Sequence, residues 1–200
     1  MISNISITPI KNMLKSALNI HNFSFKNHTS TAIIGTNGAG KSTLINTILG
    51  IRSDYNFKAQ NNNIPYHDNI IPQRKQLGVV SNLFNYPPGL NANDLFKFYQ
   101  FFHKNCTPNL FMDEPETSLE QNALIRLSNL ISLHNTQQLT SIIATHDPIV
   151  LDSCEWVLLL KNGNIAQYKP LNSILKSVAK TFNFKEKPTT KDLLALLKDI

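Results

Sequence analysis

The pattern of hydrophobic and polar positions along the chain predicts strands that alternate with helices. Short apolar or alternating runs, typical of strands, occur at residues 5–7, 20–25, 31–34, 76–80, 110–112 and 141–144. Stretches with helical spacing occur at residues 41–49, 92–103, 171–182 and 190–200, the first ending at Gly50. This alternation indicates an α/β layered fold with a largely parallel sheet, which antiparallel strands are expected to join near the start of the chain.

Two local signals add detail to the second half of the chain. Residues 156–160 and 164–168, joined by Lys-Asn-Gly, predict a β-hairpin. Residues 117–120, Thr-Ser-Leu-Glu, have the spacing of a capping box and predict the start of a helix. An apolar stripe follows at Ala123, Leu127, Leu130 and Ile131. We expect a main domain over residues 1–170 and a helical, basic extension over residues 171–200.

Composition narrows the class of protein. Hydrophobic residues make up 42% of the 200 residues and charged residues only 16%, which excludes a disordered chain. The apolar runs are too short to span a bilayer, and the first 20 residues lack the apolar core of a signal peptide. We therefore expect a cytoplasmic protein, and the two cysteines, Cys106 and Cys154, are expected to be free thiols.

The net charge of +6 is concentrated at the end of the chain. Residues 161–200 carry eight lysines and three acidic residues, whereas residues 1–160 are almost neutral. A solvated helix face accounts for such a tail, and contact with an anionic membrane surface or with nucleic acid is the alternative.

A phosphate-binding motif lies between the predicted strand 31–34 and the predicted helix 41–49. Residues 35–42 read Gly-Thr-Asn-Gly-Ala-Gly-Lys-Ser, which fits the P-loop pattern. The glycines let the backbone N–H groups converge on an anion, and the helix dipole adds positive potential. In this pattern Lys41 reaches the β- and γ-phosphates, and the hydroxyl of Ser42 binds Mg²⁺. The predicted nucleotide-binding residues are Gly35, Thr36, Asn37, Gly38, Ala39, Gly40, Lys41, Ser42 and Thr43.

Two further strand ends carry candidate catalytic groups. Asp113 follows the predicted strand 110–112 and is expected to bind the same Mg²⁺ as Ser42, directly or through water. Glu114 would then act as the general base that polarises the attacking water. His146 follows the predicted strand 141–144, where its imidazole could contact the γ-phosphate and hold the water in line.

Together these segments resemble the ATP-binding cassette (ABC) family over about residues 18–168. Residues 35–44 are similar to its Walker A motif and residues 110–115 to its Walker B motif. Residues 144–147 resemble its switch region, with His146 as the switch histidine, and residues 118–120 its D-loop, with Glu120 in place of aspartate. The resemblance implies a P-loop NTPase fold, ATP and Mg²⁺ as cofactors, and ATP hydrolysis. Residues 77–82 resemble the Q-loop strand, which makes Asn82 a candidate magnesium ligand.

The sequence departs from the family pattern in three places. Asn82 stands in the position of the Q-loop glutamine, with the same amide on a shorter arm. No aromatic residue occurs near Asn12, where the family often stacks one on adenine. Only residues 95–108 lie between Asp94 and the Walker B strand, enough for one helix of about 21 Å, so the helical subdomain is strongly shortened. The family's Leu-Ser-Gly-Gly-Gln signature, which ends that subdomain, is missing with it, since no Ser-Gly-Gly occurs anywhere.

These features leave three functions open. The first is an ATP-binding, ATP-hydrolysing subunit of an ABC membrane transporter, peripheral at the inner face of the cell membrane. Its partners would be a membrane permease and a second cassette, identical or different. The second is a degenerate nucleotide-binding cassette with little turnover. The third is a soluble ABC-type ATPase of DNA repair or chromosome maintenance, but those proteins carry long insertions between the Walker motifs, so nucleic acid is not an expected partner.

Overall fold

The structure, a computed structural model, describes residues 2–10, 18–61, 64–65, 77–81, 109–117, 119–182, 184 and 186–198. Within these ranges the strands are β1 (Ile2–Pro9), β2 (Ile20–Phe23), β3 (Ser30–Ile34), β4 (Tyr55–Asn61), β5 (Ile64–Pro65), β6 (Leu77–Ser81), β7 (Asn109–Asp113), β8 (Ser141–Ala144), β9 (Trp156–Lys161) and β10 (Asn164–Pro170). The helices are α1 (Lys41–Ile48), α2 (Gln121–Thr136), α3 (Pro148–Asp152), α4 (Leu171–Phe182) and α5 (Thr190–Lys198). The predicted helix over residues 92–103 lies outside the described residues.

The strands form two sheets. The larger sheet has the order β10-β9-β3-β8-β7-β6, and its neighbouring strands are parallel except for the antiparallel pair β9–β10. The smaller sheet has the order β2-β1-β4-β5 and is antiparallel. The predicted α/β architecture, mostly parallel with an antiparallel portion near the start, is thus confirmed.

Successive residues of the central strands face opposite sides of the large sheet, so the hydrophobic core forms two layers. On β3, Ile33 packs into one layer, while Ala32 and Ile34 pack into the other. Strand β8 divides in the same way, with Ile142 on the first face and Ile143 on the second. A strand buried on both faces is apolar throughout, as expected of a parallel sheet covered on both sides.

The first core layer contains α1 and the small sheet. Leu44, Ile45 and Ile48 of α1 are buried together with Ile5 and Ile7 of β1. The second layer contains the helices that follow β7, contributing Ile131 from α2, Val150 and Leu151 from α3, Ile174 and Leu175 from α4, and Leu193 from α5. Both terminal helices therefore pack against the body of the protein. Among the described residues, no helix is both long and apolar enough to cross a membrane.

The structure corrects one prediction and adds elements that the sequence analysis missed. The prediction of a capping box at residues 117–120 is wrong. Helix α2 begins at Gln121, and the side chain of its N-cap residue, Glu120, makes no capping hydrogen bond. Turn hydrogen bonds occupy this segment instead, from Thr117 N to Glu114 O and from Leu119 N to Glu116 O. Strands β4 and β5 and the short helix α3 were not predicted.

Candidate functional site

Three parallel strands deliver the predicted site residues to one edge of the large sheet. β3, β8 and β7 are adjacent, and Ala144 at the end of β8 lies opposite Ile33 on one side and Asp113 on the other. The P-loop follows β3, His146 follows β8, and Asp113 and Glu114 lie at the end of β7. The carboxyl ends of parallel strands are where open α/β sheets bind ligands.

The P-loop packs closely against the β9–β10 hairpin. A Cβ atom at Gly35 would lie 2.3 Å from the carbonyl oxygen of Leu160, so only glycine fits there without displacement. The Gly163 amide in the hairpin turn donates to Ala39 O at 3.1 Å. Gly38, with φ 77°, lies at the exposed tip of the loop. The hairpin was predicted, but its role in supporting the loop follows only from these contacts.

Helix α1 begins directly after the loop, and its first residue carries the candidate phosphate ligand. Lys41 is only 7% exposed, and its ammonium donates to Gly35 O at 3.1 Å and to Thr36 O at 3.4 Å. The helix has no side-chain cap and no acidic residue in its first turn. Its N-terminal N–H groups and dipole can therefore serve an anion.

The side chains of Ser42 and Asp113 are in direct contact. Ser42 Oγ donates a hydrogen bond to Asp113 Oδ1 at 2.9 Å, and Asp113 is 2% exposed. Burial raises the pKa of the Asp113 carboxyl above its ordinary value, and the hydrogen bond from Ser42 opposes that rise. A hydroxyl and a carboxylate are hard oxygen donors, the type that Mg²⁺ takes together with nucleotide phosphates. These two residues therefore fit the predicted magnesium ion.

Glu114 and His146 lie beside this pair. Glu114 has a left-handed backbone, with φ 47°, and its amide donates to Ala144 O at 2.9 Å. This bond ties the end of β7 to the end of β8. The imidazole Nδ1 of His146 is 3.9 Å from Glu114 Oε1, and the histidine side chain is 60% exposed. The two predicted catalytic groups are thus neighbours, and the imidazole is open to a ligand.

Sequence analysis missed two residues that shape this region. Glu116 is buried and accepts hydrogen bonds from Thr145 and from the His146 amide. Asp147 caps α3 by accepting from the amides of Ile149 and Val150. The second residue had a signal in the sequence, an aspartate before Pro148, which is typical of a helix start. Glu116 had none beyond being a second acid after Glu114.

The remaining predicted residues are placed as follows. Thr36 and Asn37 lie in the P-loop and Thr43 in the first turn of α1, where its carbonyl accepts from Thr47 Oγ1 at 2.7 Å. Asn82 lies outside the described residues, as do Asn12 and Ser118. Among the described residues, no group of three or more histidine, cysteine or acidic side chains is arranged as a metal site. Within the described residues, a magnesium ion held by Ser42 and Asp113 would take its other ligands from nucleotide phosphates and water.

The sequence matches a known protein family. A profile of the family described as ABC transporter matches residues 18–147. No protein of curated function matches the chain.

Three solved structures similar to this chain are described as cassettes or subunits of ABC transporters. The structure of an ATP-binding subunit of an ABC transporter has a TM-score of 0.70 at 16% identity, covering 98% of this chain and 97% of that one. The dimeric bacterial ABC transporter cassette MJ0796 has a TM-score of 0.67 at 19% identity, covering 86% and 99%. CbiO1 from Clostridium perfringens, described as part of the ABC transporter complex CbiONQ, has a TM-score of 0.63 at 20% identity, with 99% of each chain covered. At these identities the likeness shows the fold.

Proposed function

The chain belongs to the ABC transporter family of ATP-binding cassettes, and on this premise we propose that it binds Mg·ATP and hydrolyses it as the energy-coupling subunit of a membrane transporter. One observation carries the proposal: a buried lysine, a hydroxyl–carboxylate pair and a second carboxylate converge at the edge formed by β3, β8 and β7. A phosphate-binding loop, a magnesium site and a base are the parts that phosphoryl transfer to water needs.

Each group has a role that its position supports. The P-loop N–H groups and Lys41 bind the β- and γ-phosphates, and Ser42 and Asp113 would hold Mg²⁺, which would neutralise negative charge on the phosphate oxygens. Glu114 takes the proton of the attacking water as general base. His146 contacts the γ-phosphate through the exposed part of its ring.

The transport role is proposed from family membership. CbiO1 is described as part of a transporter complex, and a membrane permease is the corresponding partner that we propose for this chain. This would place the protein at the cytoplasmic face of the membrane. A second cassette is the other proposed partner, as the cassette MJ0796 is dimeric. We keep the division into a nucleotide-binding domain over residues 1–170 and a basic helical extension over residues 171–200.

One sequence observation favours a second function, a nucleotide-binding cassette with slow turnover. The chain contains no Ser-Gly-Gly and no two adjacent glycines. In a cassette pair, the signature of one subunit supplies hydrogen-bond donors to the γ-phosphate held by the other. Removing a single preorganised donor of this kind costs about 10²–10³ in rate in a well-studied hydrolase, so a homodimer without signatures would turn over slowly.

An ATPase assay on the purified protein tests both functions. If the first is right, Mg·ATP is hydrolysed, and Glu114→Gln lowers kcat by about 10²–10⁴, the contribution of a general base, without changing ATP affinity. Glu186→Gln, an exposed glutamate in the tail, is the matched control and should retain wild-type kcat. Membranes that contain the permease should raise wild-type turnover. ATP binding without measurable hydrolysis in either condition would favour the second function, and no ATP binding would contradict both.

A further inference from the structure

Glu116 is a buried carboxylate that the proposed chemistry leaves without a role. It lies two residues after Glu114 and is 7% exposed. Its Oε2 has no hydrogen-bond partner among the residues that the structure describes. Burying a charged oxygen is costly unless hydrogen bonds compensate, so the contacts of the other oxygen must account for its position.

All of those contacts go to the loop that carries His146. Glu116 Oε1 accepts from Thr145 Oγ1 at 2.7 Å and from the His146 amide at 2.9 Å. It also lies 3.4 Å from His146 Nδ1. One carboxylate oxygen thus faces a hydroxyl, an amide and a ring nitrogen from two consecutive residues.

The backbone of this loop is also held at Asp147, so the imidazole of His146 is the part of the loop that can still change its orientation. Thr145 Oγ1 accepts from the Asp147 amide at 3.1 Å, and Asp147 in turn caps α3. The His146 side chain is 60% exposed, so packing alone does not hold it. Of the two carboxylates near Nδ1, Glu116 is the closer, since Glu114 Oε1 is 3.9 Å away.

We propose that Glu116 is a positioning residue: Oε1 accepts the Nδ1 hydrogen of His146, which fixes the ring and leaves Nε2 as the nitrogen that meets the ligand. A neutral histidine carries its proton on one of two nitrogens, and the partner of one nitrogen decides the tautomer. The identity of the ligand, the phosphate end of ATP, rests on the proposed function. The contact between Glu116 and His146 does not depend on the proposed function.

Nitrogen NMR of histidine-labelled protein without nucleotide, in mildly alkaline buffer, tests the contact directly. The His146 signal is identified by its loss in His146→Gln. We expect the Nδ1–H tautomer to predominate in the wild type and the Nε2–H tautomer to increase in Glu116→Ala, which removes the oxygen that faces Nδ1. Glu186→Ala is the matched control and should resemble the wild type. An Nε2–H tautomer in the wild type, or an unchanged tautomer in folded Glu116→Ala, would overturn the inference. The wild-type spectrum decides even if the variant does not fold.

Turnover gives a second readout that a purely structural role would not reproduce. We expect Glu116→Ala to lower kcat by about 10- to 100-fold, the range found for outer partners of metal-binding histidines, while KM for ATP stays within about threefold. The double variant with His146→Gln should be no slower than His146→Gln alone, because the two residues act through one contact. If the two substitutions lowered kcat by factors that multiply in the double variant, the inference would be overturned. A wild-type protein without ATPase activity would contradict the proposed function, and the NMR result would still decide the role of Glu116.

Discussion

Ser42 Oγ donates a hydrogen bond to Asp113 Oδ1 at 2.9 Å, although the two residues are 71 positions apart in the chain. The bond joins the first turn of α1 to the end of β7, the two segments that resemble Walker A and Walker B. Either motif alone is a pattern in the sequence. The contact between them makes one site with the oxygen donors of a magnesium centre.

Asp113→Asn should stabilise the ligand-free protein at neutral pH. Burial raises the folded-state pKa of Asp113 above its ordinary value of 3.8, so this group favours folding below pH 3.8 and loses that contribution as pH rises through the raised pKa. Asparagine avoids the buried charge and keeps an oxygen that can accept from Ser42. In calorimetry with chelator, Tm of the variant should exceed that of the wild type at pH 7, and the two should converge below pH 3.8.

Asp152→Asn is the control for this prediction, because Asp152 is exposed on α3. At each pH in this range, Asp152→Asn should have the same Tm as the wild type. Mg·ATP should then stabilise the wild type more than Asp113→Asn. Equal Tm values for the wild type and Asp113→Asn at every pH would show that the buried charge carries no cost.

Lys41→Ala should weaken ATP binding by about 1.5–3 kcal/mol, the scale of a charge-assisted hydrogen bond. The ammonium of Lys41 lies within the P-loop, against Gly35 O and Thr36 O, where bound phosphates would meet it. Titration calorimetry with Mg·ATP measures the change. Lys191→Ala, an exposed lysine on α5, should bind as the wild type does. Wild-type affinity in Lys41→Ala would contradict the assignment of the loop.

Gly35→Ala should destabilise the protein by about 1–3 kcal/mol, the usual cost of overpacking. Its Cβ would lie 2.3 Å from Leu160 O, so the loop or the β9–β10 hairpin must move. Gly38→Ala is the comparison, since no atom lies within 4 Å of a Cβ there and only its backbone, at φ 77°, is strained. Amide NMR should show a shifted Gly163 signal in Gly35→Ala but not in Gly38→Ala. An unshifted Gly163 in the first variant would argue against tight packing between loop and hairpin.

Glu114→Gln with Mg·ATP should remain a monomer of 22.5 kDa in light scattering. Loss of the base leaves ATP intact, which favours any dimer that sandwiches it between two subunits. The sequence lacks the Ser-Gly-Gly that would supply donors to the partner's γ-phosphate, and part of the phosphate charge would face water instead. Wild type without nucleotide gives the reference mass. A shift to dimer mass would show that another segment replaces the signature.

The sequence alone determined the local features of this protein. The P-loop, its flanking strand and helix, and the Asp113–Glu114 and His146 strand ends could be predicted because each depends on neighbouring residues and a fixed period. The β9–β10 turn was predictable for the same reason: Asn162 and Gly163 take positive φ values of 49° and 76°, as a two-residue hairpin requires. Strand β4 had a comparable signal that was missed, with buried Tyr55, Phe57 and Ala59 at alternate positions.

Tertiary structure decided which of these features meet. The order β3-β8-β7 differs from the order along the chain, and in that order Ser42 lies beside Asp113 and His146 beside Glu114. The burial of Glu116 and the support of Gly35 by Leu160 likewise depend on contacts between distant segments. Local pattern cannot specify them, because hydrophobic spacing fixes which face of a strand is buried but not which strand lies next to it.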